Sequence, residues 1–325
     1  MEVCGSHTAA IARSGIREII SPKIRLISGP GCPVCVTASS YIDRLTELAR
    51  DGKTIVTFGD MIRVPGSTGS LYEAKAGGAD VRMIYSPFDL IRMAADDPGR
   101  DFIFAAVGFE TTIPVYTLML DEIREKGIKN VRLLTALKCM IPVIEKLLCD
   151  GSGTDGFLAP GHVSVITGEK PFFETGKKYG VPFAITGFET DKLITGIWGL
   201  LKMISRGETG VRNFYPSAVK REGNIKARQK IEEYFENGNA YWRGIGCIPD
   251  SGLYLKKEYS GYDAGSRDLV KDEKFDVMCC CDKILTGKME PVQCPLFSKA
   301  CTPLSPKGAC MVSSEGSCYV HYSAR

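Results

Sequence analysis

The 325-residue sequence is short of the features that mark several classes of protein. No apolar run approaches the roughly 18 residues that a membrane-spanning helix needs. Met1 is followed by Glu2 and Cys4, not by the basic segment and apolar stretch of a secretory leader. Neither sign of charge dominates, because 41 basic residues against 38 acidic ones leave a net charge of +3, scattered along the chain. Such a balance creates no field that would gather nucleic acid or an anionic membrane. Histidine is scarce, with three in the chain, and no second C-x-x-C accompanies the one formed by Cys32 and Cys35. These absences lead us to expect a cytoplasmic protein with no nucleic-acid or membrane partner.

Cysteine is what the chain has in quantity. Thirteen of them, an odd number crowded toward the two ends, do not resemble the disulfide framework of a short secreted domain. In a reducing compartment, that usage points to metal or redox chemistry. Free cysteine is also a good small core residue, and that is the expectation for Cys139, Cys149 and Cys247, isolated in the middle of the chain. Apolar content of 44% and charged content of 24% are ordinary for a globular protein. The length allows two or three domains.

Between residues 24 and 204, β-rich runs alternate with amphipathic stretches. Strands are expected at 24–28, 54–58, 81–85, 102–107, 131–137, 156–160 and 183–186, and helices at 41–50, 87–95, 112–126, 141–148 and 192–205. That rhythm is the mark of βαβ units and parallel sheets flanked by helices. FAAVGFETTIP (104–114) and FAITGFETDKL (183–193) repeat one strand–turn–helix unit 79 residues apart, which suggests two related α/β domains. After residue 205 the chain is turn-rich, with one amphipathic helix expected at 225–237 and a dense cysteine tail. The expected fold class is α/β, with two related parallel-sheet α/β domains (15–115 and 116–205). A third, irregular and helical domain (206–325, with 1–14 packed nearby) carries an iron–sulfur cluster. A bound metal would supply the stability such a unit lacks.

Four polar loops gather the chemistry: CGSHT (4–8), GPGCPVC (29–35), GFETT (108–112) and PGHVS (160–164). At least three follow strands, where parallel sheets place their crevices, so the loops are expected to share one site. Cys32 and Cys35 lie in an exposed Gly-Pro turn that leads toward a helix start, a setting that lowers a thiol pKa. Thiol–disulfide exchange is their natural chemistry, with zinc binding by half a knuckle as the competitor. In the tail, Cys279, Cys294, Cys301 and Cys318 are separated by 14, 6 and 16 residues. Four thiols suit a cluster or structural zinc, and the wide spacing favours a cluster without choosing among these and Cys280, Cys281 and Cys310. Glu110 and Glu189 end their strands in the repeated Gly-Phe-Glu-Thr.

These loops in this order, with a tail containing CPLF, CTP and SSEGSC, closely resemble the HypD family of hydrogenase maturation factors over essentially the whole chain. The resemblance implies a redox-active assembly scaffold, not a conventional turnover enzyme, on which the Fe(CN)2CO centre of [NiFe] hydrogenases is assembled. It implies a complex with the small chaperone HypC, cyanide received from HypE, and indirect delivery to the hydrogenase large-subunit precursor. It implies that Cys4 holds the iron and that Cys32 and Cys35 form a redox pair. By the same resemblance, Cys279, Cys294, Cys301 and Cys318 bind a [4Fe-4S] cluster, while His7, Glu110, Thr111 and His162 line the site for positioning or proton handling. Family members carry a few dozen further residues before CGSHT. With three residues ahead of it here, Cys4 is expected to sit on a frayed end. The competing functional reading is a general thiol–disulfide oxidoreductase with an iron–sulfur electron donor, and a third is a zinc-binding interaction module.

Overall fold

The computed structural model describes residues 1–269 and 278–324, and the part of the expected third unit at 270–277 lies outside the described residues. Nine strands form two sheets among the described residues. β1 (Thr54–Thr57), β2 (Val81–Met83), β3 (Phe102–Gly108) and β4 (Val131–Lys138) belong to the first, and β5 (Phe157–Pro160), β6 (Pro182–Thr186) and β7 (Gly210–Asn213) to the second. β8 (Phe235–Trp242) and β9 (Gly246–Leu255) return to the first, whose order is β2-β1-β3-β4-β9-β8, while the second runs β5-β6-β7. Strands β1 to β4 are mutually parallel and the β8–β9 hairpin is antiparallel, so the first sheet is mixed and mainly parallel. The second sheet is parallel throughout.

Thirteen α-helices complete the described residues: α1 (Gly5–Arg13), α2 (Ile16–Ile19), α3 (Ser39–Arg50), α4 (Leu71–Ala76), α5 (Pro87–Asp96), α6 (Ile113–Glu125) and α7 (Met140–Cys149) in the first part. α8 (Gly161–Thr167), α9 (Lys170–Tyr179), α10 (Thr190–Ser205), α11 (Ile225–Tyr234), α12 (Cys281–Leu285) and α13 (Ser317–Ser323) follow. Helices cover both faces of the parallel strands, which is why β1, β3 and β6 are buried along their whole length. Local chemistry starts several of these helices. Ser70 with Glu73, and Ser86 with Asp89 behind Pro87, form capping boxes on α4 and α5. No helix among the described residues is long and apolar enough to cross a membrane.

Three differences from the sequence reading bear on the site. Residues 24–28 do not form a strand. Arg17 Nη1 donates to the Leu26 carbonyl at 2.6 Å, and only Ser28 bridges to a neighbour, which is Glu2. The strand at 131–138 pairs with β3 along seven residues, so the first sheet runs across residue 116. The segment after 205, expected to have little regular structure, contributes β7 and a hairpin. The helix expected to reach residue 237 stops at Tyr234, whose hydroxyl donates to Asp121 Oδ1 at 2.5 Å, and Phe235 begins β8. The register of the hairpin shifts between Gly238 and Ala240, in the stretch after the expected helix, which makes a bulge.

Candidate functional site

Cys4 is the N-cap of α1 and is buried. The residues before it are tied on both sides. Val3 N–H donates to Leu158 O at 3.3 Å, Leu158 N–H to Met1 O at 2.8 Å, Glu2 N–H to Ile27 O at 2.9 Å, and Gly29 N–H to Glu2 O at 2.8 Å. This corrects the expectation of a frayed Cys4, since the segment behaves as an added strand between β5 and Ser28. Gly5 N–H then donates to Gly31 O at 2.9 Å, and a Cβ on Gly31 would stand 2.2 Å from Cys4 N. The backbone of Cys4 therefore lies against the residue that precedes Cys32. Backbone N–H groups of His7 and Ser6 turn toward the Cys4 sulfur, but burial prevails and pushes the thiol up to about 12. Gly31→Ala should displace this turn. We expect a loss of roughly 1–3 kcal/mol, as for other overpacked positions, read as a lowered denaturation midpoint.

Cys32 and Cys35 are 3% and 1% exposed, and α3 does not start until Ser39. The expected exposed turn at a helix start is therefore corrected: the loop is covered by the tail, and no helix dipole acts on the thiols. Cys35 N–H donates to Cys32 Sγ at 3.2 Å. Burial, then Cys310 and Cys32, hold the Cys35 thiol well above the usual range. Cys310 has Cys35, Cys281 and Cys318 as neighbours that act on its thiol, and Cys281 Sγ lies 3.1 Å from Cys279 Sγ. A file of sulfur thus runs from the C-x-x-C loop into the tail. Cys281 and Cys310, spare in the sequence reading, are its middle members. Their adjacency in the fold had no signal in the spacing.

The tail surrounds its thiols closely. Cys281, Cys294, Cys301, Cys310 and Cys318 are buried and Cys279 and Cys280 half-buried. Cys280 has Cys294 as a neighbouring thiol, and Lys307 N–H donates to Cys301 Sγ at 3.3 Å. A Cβ on Gly308 would stand 2.5 Å from Cys281 Sγ and 2.7 Å from Cys279 Sγ, so the backbone itself is flush against sulfur. Among the described residues no three His, Cys, Asp or Glu side chains stand close enough to hold one metal ion. A cubane is larger than an ion and needs its thiols further apart, and this all-sulfur donor set with backbone N–H groups aimed at sulfur fits one. The sequence reading also missed Arg243, which is buried and donates to Thr37 O and Pro65 O, both at 2.7 Å. Its charge favours the thiolates of Cys279 and Cys281.

His7 is fully buried, its Nε2 donating to Gly187 O at 3.1 Å, and burial lowers it to about 4, so the imidazole is neutral. Its ring centroid is 4.8 Å from that of Phe188, on which His162 stacks at 4.0 Å. CGSHT, PGHVS and the second Gly-Phe-Glu-Thr therefore meet around Phe188, while Glu189 is exposed at the N-cap of α10. In the first copy Phe109 stacks instead on Trp242 at 5.9 Å, and Trp242 bridges to Thr37 beyond Cys35. Glu110 Oε1 accepts Met140 N–H at 2.8 Å at the start of α7, and burial raises the carboxyl to about 7. The Thr111 hydroxyl lies 3.4 Å from that of Thr112. Cys139 is half-buried and packs against the core, as expected, whereas Cys149 and Cys247 are exposed and do not.

The family model described as "HypD: Hydrogenase formation hypA family" matches residues 1–325. The chain belongs to the HypD family. It is 42% identical over 327 residues to a putative hydrogenase expression/formation protein of Methanocaldococcus jannaschii, covering 100% of this chain and 91% of the relative. It is 39% identical over 330 residues to the hydrogenase maturation factor HypD of Escherichia coli K12 (100% of this chain, 88% of the relative). It is 40% identical over 338 residues to that of Cupriavidus necator (99% and 88%). The HypD family is thus one of hydrogenase maturation factors.

Proposed function

We propose that the protein is a cytoplasmic scaffold on which an iron ion carrying two cyanides and one carbon monoxide is assembled as cargo for a [NiFe] hydrogenase. Cys4 holds the iron. The observation that carries this reading is the direct contact of the Cys4 turn with Gly31, one residue from the C-x-x-C pair, with no room for a side chain between them. A thiolate is a soft ligand suited to ferrous iron with cyanide and carbonyl, and a cation beside the sulfur reverses the burial that keeps the thiol protonated. Neutral His7, together with the stacked ring of His162, holds Phe188 as an apolar wall. The partners are a HypC-type chaperone sharing the iron through its own cysteine, a HypE-type cyanide donor and, indirectly, the hydrogenase large-subunit precursor.

Cys32 and Cys35 are the redox couple, in which one S–S bond gives way to two S–H bonds on uptake of two protons and two electrons, the electrons coming from the tail. Cys310 and Cys281 lie between that couple and the tail, as their contacts support. Cys279, Cys294, Cys301 and Cys318 would hold a [4Fe-4S] cluster, which when bound supplies electrons singly. The near-complete burial of both C-x-x-C thiols counts against a general thiol–disulfide oxidoreductase, whose protein substrates must reach sulfur. The reading is tested by anaerobic purification with the small chaperone and infrared spectroscopy where metal-bound cyanide and carbonyl absorb; no such bands would overturn it. Cys32→Ala should reduce hydrogenase maturation by about a hundredfold or more, in the range of essential redox groups. Unchanged maturation would remove the couple from the mechanism.

A further inference from the structure

Residues 313–316, Ser-Ser-Glu-Gly, lie between the two halves of the site. Gly316 N–H donates to Ser313 O at 2.8 Å and Glu315 N–H to Ser313 Oγ at 3.3 Å, closing a tight turn. On one side the turn abuts the thiols, since a Cβ on Gly316 would stand 2.3 Å from Cys310 O and 3.0 Å from Cys35 Sγ. On the other it abuts the start of α1. There a Cβ on Gly5 would stand 2.5 Å from Glu315 Cβ and 2.9 Å from its Oε2, and the half-buried Ser6 hydroxyl donates to Glu315 Oε1 at 2.5 Å. Neither junction has space for one added methyl group. Two close-packed contacts in series pass a displacement on instead of absorbing it.

We propose that Glu315 is a positioning residue for Cys4: it fastens the turn carrying Cys4 to the turn packed on Cys35 and Cys310, so that a change in the covalent state of those thiols moves the Cys4 loop. The use of this linkage rests on the reading of Cys4 as the thiol that holds iron, but the linkage itself does not. When a small cyclic disulfide oxidises Cys32 and Cys35, two S–H bonds break and one S–S bond forms. The two electrons and two protons convert the small disulfide to a dithiol. Drawing the Cys32 and Cys35 sulfurs to bonding distance moves Cys35 Sγ, which lies against Gly316, and Glu315 carries that shift to Gly5 and Ser6. The cargo would then be gripped in one redox state and offered in the other.

The test is amide hydrogen exchange on the full chain, kept anaerobic with its tail metal group in place but purified without the partner proteins so that Cys4 holds no iron, and reduced with dithiothreitol or oxidised with its cyclic disulfide. Residues 5–8 are followed in the parent and in Glu315→Ala, Glu315→Gln and Ser6→Ala. In the parent we expect exchange there to differ about tenfold between the two states, as when one charge-assisted hydrogen bond is lost from a local opening. Glu315→Ala should shrink the difference below about twofold, Ser6→Ala should reduce it partway, and Glu315→Gln, which keeps an acceptor oxygen, should retain most of it. No difference in the parent, or an undiminished one in Glu315→Ala, overturns the proposal. Should Glu315→Ala fail to fold, an undiminished difference in Ser6→Ala does the same. Because the iron cargo is absent from Cys4 throughout, a protein that never binds the centre would leave this result standing.

Discussion

Cys4→Ser is expected to yield a folded protein that no longer retains an iron–cyanide–carbonyl centre. The substitution changes one atom, and that atom decides softness. A serine hydroxyl is a hard, weakly acidic donor, whereas a thiolate is polarisable and binds the electron-rich ferrous ion that cyanide and carbon monoxide create. Stability should hold, because Cys4 occupies the N-cap of α1 without a side-chain capping bond, and serine is among the best residues there. The denaturation midpoint should stay or rise slightly while the infrared bands of the copurified complex fall by at least about a hundredfold, the scale of losing an essential ligand. Bands that persist in Cys4→Ser would assign the cargo to another residue. The same experiment in Cys149→Ser, an exposed thiol, should leave the bands unchanged.

Cys301→Ala is expected to bleach the protein and loosen its tail together. The described part of the tail is poor in regular structure: α12 and α13 span 5 and 7 residues, and two three-residue 3-10 turns, Pro291–Gln293 and Ala309–Met311, are the other helical pieces. Helices this short do not persist on their own. Their burial depends on the thiols they enclose, and a bound metal group supplies folding energy outright in such units, on the order of 10 kcal/mol for small metal domains. Removing one ligand should abolish the brown visible absorption and speed proteolytic cleavage after residue 278 by about a hundredfold or more. A protein that is colourless before the substitution and whose tail resists protease through zinc would refute the cluster and favour a metal-binding interaction module.

The α/β rhythm up to residue 204 is legible because each element there satisfies a local rule. The expected helix at 41–50 is α3, the one at 87–95 is α5 behind its Ser86 and Pro87 start, and the buried run FIFAAV lies in β3. The hairpin at 235–255 was not legible. Asn237, Gly238 and Asn239 oppose strand formation locally, and β8 exists because β9 pairs with it and with β4. The segment 24–28 fails in the opposite sense, having strand composition but a carbonyl already taken by Arg17. The repeated Gly-Phe-Glu-Thr was visible, whereas the different fates of its two phenylalanines, on Trp242 and between two imidazoles, depend on what each copy faces.

The sequence by itself determined the residue types able to bind soft metal and exchange electrons, their grouping into four loops and a tail, and membership of the HypD family, because these depend on side-chain identity and short-range order. Only the tertiary structure decided that the C-x-x-C pair is covered instead of exposed, that Cys310 and Cys281 connect it to the tail, and that Glu315 ties the tail to the Cys4 turn. Those contacts join residues hundreds of positions apart. They are set by glycines whose missing side chain leaves room for a close neighbour, which is sulfur at Gly308 and Gly316 and the main chain of Cys4 at Gly31, and such closeness is a property of packed surfaces that no spacing along the chain encodes.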